Sequence, residues 1–183
     1  VGEHSTLPPY QIGYDAKSDN YYGMYEGNDD YEEVLIGRLP VANEADATVQ
    51  VNKIIHYERD IDESATWLSK GSGVAADEGS GGGHFGEADY EHINYVCDTL
   101  LGYTYTEMTK HYEYITNPTA PGMVNDFSKG LGIINYCNHG FPTGWAVASF
   151  DNSNVHQMTN DNKLPVVWSV ACNNGQFNES ECF

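Results

Sequence analysis

The sequence predicts an α/β domain, a three-layer α/β/α sandwich built on a mostly parallel sheet. Short apolar, β-branched runs alternate along the chain with segments of 3.6-residue apolar periodicity, the pattern of strands covered by helices. The last fifty residues hold a strand, a helix and a strand in succession, which is one βαβ unit. With 183 residues, of which 40% are hydrophobic, the chain has enough apolar surface for one core and too little length for two domains.

Val34–Leu39 is a β-branched run stopped by Pro40, which predicts a strand. Asn43, with Asp46 three residues on, caps a helix whose Ala47, Val51, Ile54 and Ile55 form a stripe that needs a sheet to cover. Gly73–Ala76 reads as a buried strand, Asp77–Gly86 as a glycine-rich loop, and Glu87–Leu101 as a helix with Ile93, Val96, Cys97, Leu100 and Leu101 facing inward. Tyr103–Thr109 is expected to be a strand and Pro121–Lys129 a short helix with proline near its start. Gly132–Cys137, Asn152–Met158 and Leu164–Ala171 form the closing strand, helix and strand. The chain opens on Val1-Gly2-Glu3 like the end of a buried strand and stops at Phe183 without a closing helix, so it reads as a sheet incomplete at both ends, a fragment or a processed chain.

Charge removes several functions. The 27 acidic against 8 basic residues give a net charge of -19, which repels phosphate backbones and argues against nucleic-acid binding. No apolar run approaches the roughly 20 residues of a membrane span. The acids are uneven: 14 lie in residues 1–63, 8 in 64–113 and 5 beyond. Cys97, Cys137, Cys172 and Cys182 form no CxxC pair, so the spacing indicates neither a zinc site nor a dense disulfide framework.

His139 and Cys172 each follow the C-terminal end of a strand in the βαβ unit, 33 residues apart, about one crossover. Reactive groups in parallel sheets collect beyond those ends, so neighbouring strands would bring imidazole and thiol to one crevice. A histidine can take the thiol's proton and leave the nucleophilic thiolate. The amides of Gly140 and Cys172 would be placed to hold an oxyanion. Each residue also has an ordinary structural explanation. The cysteine could be a small buried hydrophobe, and the histidine a strand cap.

Asn138-His139-Gly140 and Val170-Ala171-Cys172-Asn173-Asn174-Gly175 resemble the histidine and cysteine blocks of the caspase-like cysteine peptidases, and more closely those of the gingipains, nearest the arginine-specific type. The resemblance runs through Gly27-Asn28-Asp29, Ile36-Gly37-Arg38, Ile55-His56-Tyr57-Glu58-Arg59, Trp67-Leu68, Glu78-Gly79, Thr159-Asn160 and Leu164-Pro165. It implies a caspase-like catalytic domain, of which residues 1–183 are a part, hydrolysing peptide bonds after arginine through an acyl-enzyme. Cys172 would be the nucleophile, His139 its proton partner, and Glu78 the acid that orients the histidine. Asp89 would be the carboxylate of the primary specificity pocket, where a guanidinium forms a bidentate pair. Taken alone, Glu78 could be a solvated loop acid and Asp89 a first-turn acid facing the helix dipole.

The resemblance also implies structural calcium, held by Glu3, Glu26, Asp29, Tyr31 and Glu33 with the carbonyls of Glu26 and Tyr31, and no catalytic metal. It implies protein or peptide substrates with basic side chains, a second chain from the same precursor as a possible partner, and secretion or display on the surface of a bacterium. The alternatives are lysine or mixed basic specificity, and a calcium-stabilised caspase-like binding domain without catalysis.

Overall fold

A computed structural model of the chain describes residues 10–12, 16–29, 31–78, 83, 85–179 and 181–183. Strands β1 (Tyr10–Ile12) and β2 (Ala16–Ser18) form a small antiparallel pair. Helix α1 (Glu44–Ile55) follows, capped as expected by Asn43, whose side chain accepts from the Asp46 amide. It runs on into one wider turn at His56–Asp60. Then come β3 (Lys70–Ala76), α2 (Asp89–Leu101), β4 (Glu107–Glu113), α3 (Ala120–Phe127) and β5 (Ile133–Cys137). A tight hairpin, β6 (Gly140–Phe141) with β7 (Gly144–Trp145), leads to the short α4 (Asn152–Val155) and to β8 (Val166–Val170).

Four strands make one parallel sheet in the order β4-β3-β5-β8. Strand β3 sits inside it and is buried from Gly71 to Ala76, which explains its small residues. A Cβ at Gly73 would lie 2.6 Å from Ile93 Cγ2 and 2.7 Å from Cys97 Sγ, so glycine there lets α2 lie close on the sheet. Because side chains alternate along a strand, Ala75 faces Ile93, Cys97 and Tyr112 beneath α2. Val74 and Ala76 face the larger opposite core of Met123, Phe127, Ile134, Tyr136, Trp145 and Phe150 beneath α3 and the hairpin. The predicted three layers are present.

Several local expectations need correction. Val34–Leu39 forms no strand: it has no regular structure and Leu35 is 90% exposed, since a β-branched run becomes a strand only where a partner and a core receive it. The α1 stripe is uncovered, with no residue of that helix buried. In α2, Ile93 and Cys97 turn inward, whereas Leu101 is 42% exposed at the helix end. The strand expected at Tyr103–Thr109 begins four residues later, after the chain turns at Gly102, and Thr106 opens the ladder by donating to the Ser69 carbonyl. The helix expected over Asn152–Met158 keeps only its first turn. The β6–β7 hairpin is absent from the sequence reading. Strand β8 lies at the sheet edge, exposed throughout, with Trp168 at 62%. No described helix is long and apolar enough to cross a membrane.

Candidate active site

The sheet register places the predicted residues. Ala75 pairs with Cys137, and Cys137 pairs with Val170, so β3, β5 and β8 end level with one another. His139 and Cys172 each lie two residues past Cys137 and Val170, and Glu78 lies three past Ala75. A cleft of about 380 Å³ opens above these ends, lined by Glu78, Asp89, Asn138, His139, Ala171 and Cys172 among others. Cys172 is an exposed free thiol; Cys97, buried, and Cys137 and Cys182, half-buried, are free thiols too.

His139 Nε2 stands 2.9 Å from Glu78 Oε2, which leaves Nδ1 as the ring nitrogen open to a thiol. The pair is partly solvated, with side-chain exposures of 70% and 44%. The backbone under the ring is fixed more firmly than the ring itself. The Tyr136 hydroxyl donates to the His139 carbonyl at 2.5 Å and accepts from the Ala146 amide at 3.2 Å, and the Ala146 amide also donates to the His139 carbonyl. Tyr136 is fully buried and stacks on Trp145, with ring centroids 4.4 Å apart. Burial drives its hydroxyl far above the ordinary tyrosine range, so it remains a protonated donor.

The loop that carries Cys172 is tied to the hairpin that follows His139 by Asn174. Its Nδ2 donates to the carbonyls of Phe141 at 2.8 Å and Gly144 at 3.0 Å, and its Oδ1 accepts from Ser169 Oγ at 2.7 Å. Ser169 Oγ in turn accepts from Trp145 Nε1. Gly140 lies where the two segments meet: a Cβ on it would stand 2.8 Å from Ala171 Cβ and from the Cys172 carbonyl oxygen. Phe183 donates its amide to the Pro142 carbonyl and packs its ring on Trp145. The Arg38 guanidinium, paired with Asp19, covers Phe177 at 4.8 Å.

Asp89 is the first residue of α2, as expected, and its half-buried carboxylate also lines the cleft. Its Oδ2 accepts from Asn138 Nδ2 at 2.8 Å. The helix-dipole and cleft readings of this acid are compatible. Tyr136, Asn138 and Asn174 were not singled out from the sequence. Only the adjacency of Asn138 to His139, and of Asn174 to Cys172, could have drawn attention to them.

Among the expected calcium ligands, Glu3 lies outside the described residues. Glu26, Asp29, Tyr31 and Glu33 share one loop. Glu33 Oε2 accepts from the amides of Tyr25 and Glu26, which hold its carboxyl below the usual range, and Asp29 Oδ1 accepts from the Tyr31 amide. Carboxylate and carbonyl oxygens are the hard donors that calcium takes, so the residues fit the ion in donor type. Among the described residues no three His, Cys, Asp or Glu side chains converge as a ready cage.

The chain resembles known proteins in sequence and in fold. Gingipain R2 of Porphyromonas gingivalis is 37% identical over 177 residues, covering 97% of this chain and 24% of its own length. Lys-gingipain HG66 of the same organism is 26% identical over 170 residues, covering 91% of this chain and 9% of its own. The chain thus spans about a quarter or less of these relatives. The crystal structure of the Arg-specific cysteine proteinase gingipain R (RgpB) superposes with a TM-score of 0.91 at 37% identity, over 100% of this chain and 42% of that one. The complex of Porphyromonas gingivalis RgpB pro- and mature domains gives 0.92, over 100% and 43%. Residues 1–183 match Peptidase family C25 throughout, and the chain belongs to that family.

Proposed function

We propose that the chain carries the catalytic centre of a cysteine endopeptidase that cleaves after arginine. The observation that supports this most is the meeting of Cys172, His139, Glu78 and Asp89 at one cleft above level strand ends. In the first step His139 takes the thiol proton and Cys172 Sγ attacks the carbonyl carbon of the arginyl residue. The oxyanion forms beside the Gly140 and Cys172 amides. Collapse breaks the C–N bond, His139 returns the proton to the leaving amine, and a thioester remains on Cys172. Water, deprotonated by His139, then attacks the thioester and releases the new carboxyl end and the free thiol. Glu78 orients the imidazole and stabilises its charged form. Asp89 pairs with the substrate guanidinium, for which a planar fork is better matched than an ammonium.

Calcium in this reading is structural, held by the loop of Glu26, Asp29, Tyr31 and Glu33 with Glu3, and would hold that acidic loop in place. Residues 1–183 are read as part of a larger caspase-like catalytic domain, in keeping with their 42% share of the gingipain R chain. A second segment or chain of the same precursor would cover the exposed β8 edge and the α1 stripe. A secreted or surface-displayed bacterial enzyme fits the family relatives, which come from Porphyromonas gingivalis.

Fluorogenic peptides bearing Arg, Lys or Asp at the cleaved position test the reading. Arginine should be preferred, Asp89→Ala should reduce mainly cleavage after arginine, and Cys172→Ala should abolish turnover. A preference for lysine or aspartate would remove Asp89 as the selector. No turnover with any peptide would favour the binding-domain alternative.

A further inference from the structure

We propose that Asn138 is a specificity-determining positioning residue, whose side-chain amide holds the Asp89 carboxylate in the orientation a substrate guanidinium requires. This rests on the endopeptidase reading for its biological meaning, though not for its geometry. Asn138 is the residue between β5 and His139, and its own amide donates to the Val170 carbonyl at 3.3 Å, so its backbone is fastened to the nucleophile strand. From there the side chain crosses to the start of α2, where Nδ2 donates to Asp89 Oδ2.

Asn138 is 9% exposed, and its Oδ1 is buried with no hydrogen-bond partner among the described residues. A buried acceptor without a partner costs stability, and a glycine or an apolar side chain would avoid that cost. The hydrogen bond to Asp89 is the one return that the side chain makes for it among the described residues. Turning the amide over would set its carbonyl against the carboxylate, so the negative charge of Asp89 fixes which way Asn138 faces, and Asn138 in turn fixes Asp89.

The clamp leaves the carboxylate competent. A carboxylate oxygen has two acceptor sites, so Oδ2 can hold Asn138 and still receive a second donor, while Oδ1 stays available. A guanidinium binds a carboxylate through two parallel N–H groups and needs the two planes aligned. An ammonium is a point charge with rotatable donors and is much less sensitive to carboxylate orientation. Pre-orienting Asp89 therefore favours arginine over lysine, by lowering what must be ordered when the substrate binds.

Steady-state kinetics on peptides with Arg or Lys at the cleaved position would read this directly. Asn138→Leu, close in volume and without a donor, should lower kcat/KM for arginine about tenfold, mainly through KM, and for lysine by less than about threefold. Asn138→Gly, which adds no bulk, should change the ratio in the same direction. Equal losses for both substrates would show damage to the neighbouring His139 and overturn the proposal, as would no loss at all.

A second measurement separates this proposal from the activity. Calorimetric titration of argininamide into Cys172→Ala protein, with and without Asn138→Leu, should show affinity falling about tenfold. If the wild type cleaves neither peptide but the argininamide affinity falls as expected, the endopeptidase reading fails and the clamp stands. If argininamide does not bind the Cys172→Ala protein, or binds both proteins alike, the clamp is wrong.

Discussion

Replacing Glu78 with Gln keeps the shape and one acceptor oxygen but removes the charge facing His139, and the structure sets the size of the effect. At 2.9 Å, two unit charges in bulk water attract by about 1.4 kcal/mol. The exposed side chains of this pair lower the net worth of the contact to about 1 kcal/mol or less in the free protein. A bound peptide would cover the cleft, lower the local dielectric and strengthen the pair. The expected loss in kcat/KM for an arginyl peptide is therefore between about fivefold and about a hundredfold. That is well short of the roughly 10⁴-fold loss seen when a buried orienting acid is neutralised in a serine peptidase triad. Glu78→Ala, which removes the contact as well as the charge, should lose more than Glu78→Gln. Melting temperature should barely change for either, because both side chains are largely solvated. The assay is kcat and KM on a fluorogenic arginyl peptide, paired with a thermal melt. A loss of about 10⁴-fold or more with an intact fold would refute the solvated estimate, since the pair would then act like a buried orienting contact; no loss in either variant would mean that the pair is a surface contact without a role.

Gly140→Ala would place a methyl group 2.8 Å from Ala171 Cβ and the Cys172 carbonyl, spreading the two loops, and should cost about a hundredfold in kcat/KM. Wild-type rates in that variant would show the loops to be independent. His111 is buried against Phe127, and burial lowers its proton affinity, opposed by Asp126 at 3.4 Å and reinforced by Lys129. With the folded pKa below the unfolded value of about 6.5, the unfolded chain takes the proton first, so stability is full above pH 6.5 and falls as the pH drops below it. Urea midpoints at pH 7.5 and 5.5 should converge in His111→Gln relative to wild type; identical pH sensitivity in both would contradict the assignment. Chelation with EGTA should lower the melting temperature, restored by calcium and insensitive to chelator in an Asp29→Ala, Glu33→Ala variant. A wild-type melt unmoved by chelator would make the Tyr25–Glu33 loop a turn sustained by its own amides.

The strands that carry the site were legible because each is a short apolar run ending where a polar or small residue begins: Cys137 before Asn138 and His139, Val170 before Ala171 and Cys172. The crossover length then suggested that the strands are neighbours, which the register bears out. Local pattern failed where tertiary partners decide. Val34–Leu39 has the composition of a strand and no sheet to join, and the α1 stripe has nothing against it among the described residues. The residues that brace the site were invisible for a related reason. Tyr136 reads as an ordinary strand aromatic until its hydroxyl is seen to meet the His139 carbonyl, and Asn174 reads as a turn residue until its amide is seen to span 30 residues to Gly144. Hydrogen bonds between distant segments leave no period in a sequence.

As proposed, Cys172 is the nucleophile of a site selecting arginine. Incubation with an arginyl chloromethyl ketone, followed by peptide mapping by mass spectrometry, tests it most directly. One adduct should form, on Cys172, blocked by prior alkylation of that thiol and strongly slowed in Asp89→Ala and in Glu78→Ala. Labelling of Cys182 instead, or of Cys172 at equal rates in wild type and Asp89→Ala, would contradict the account.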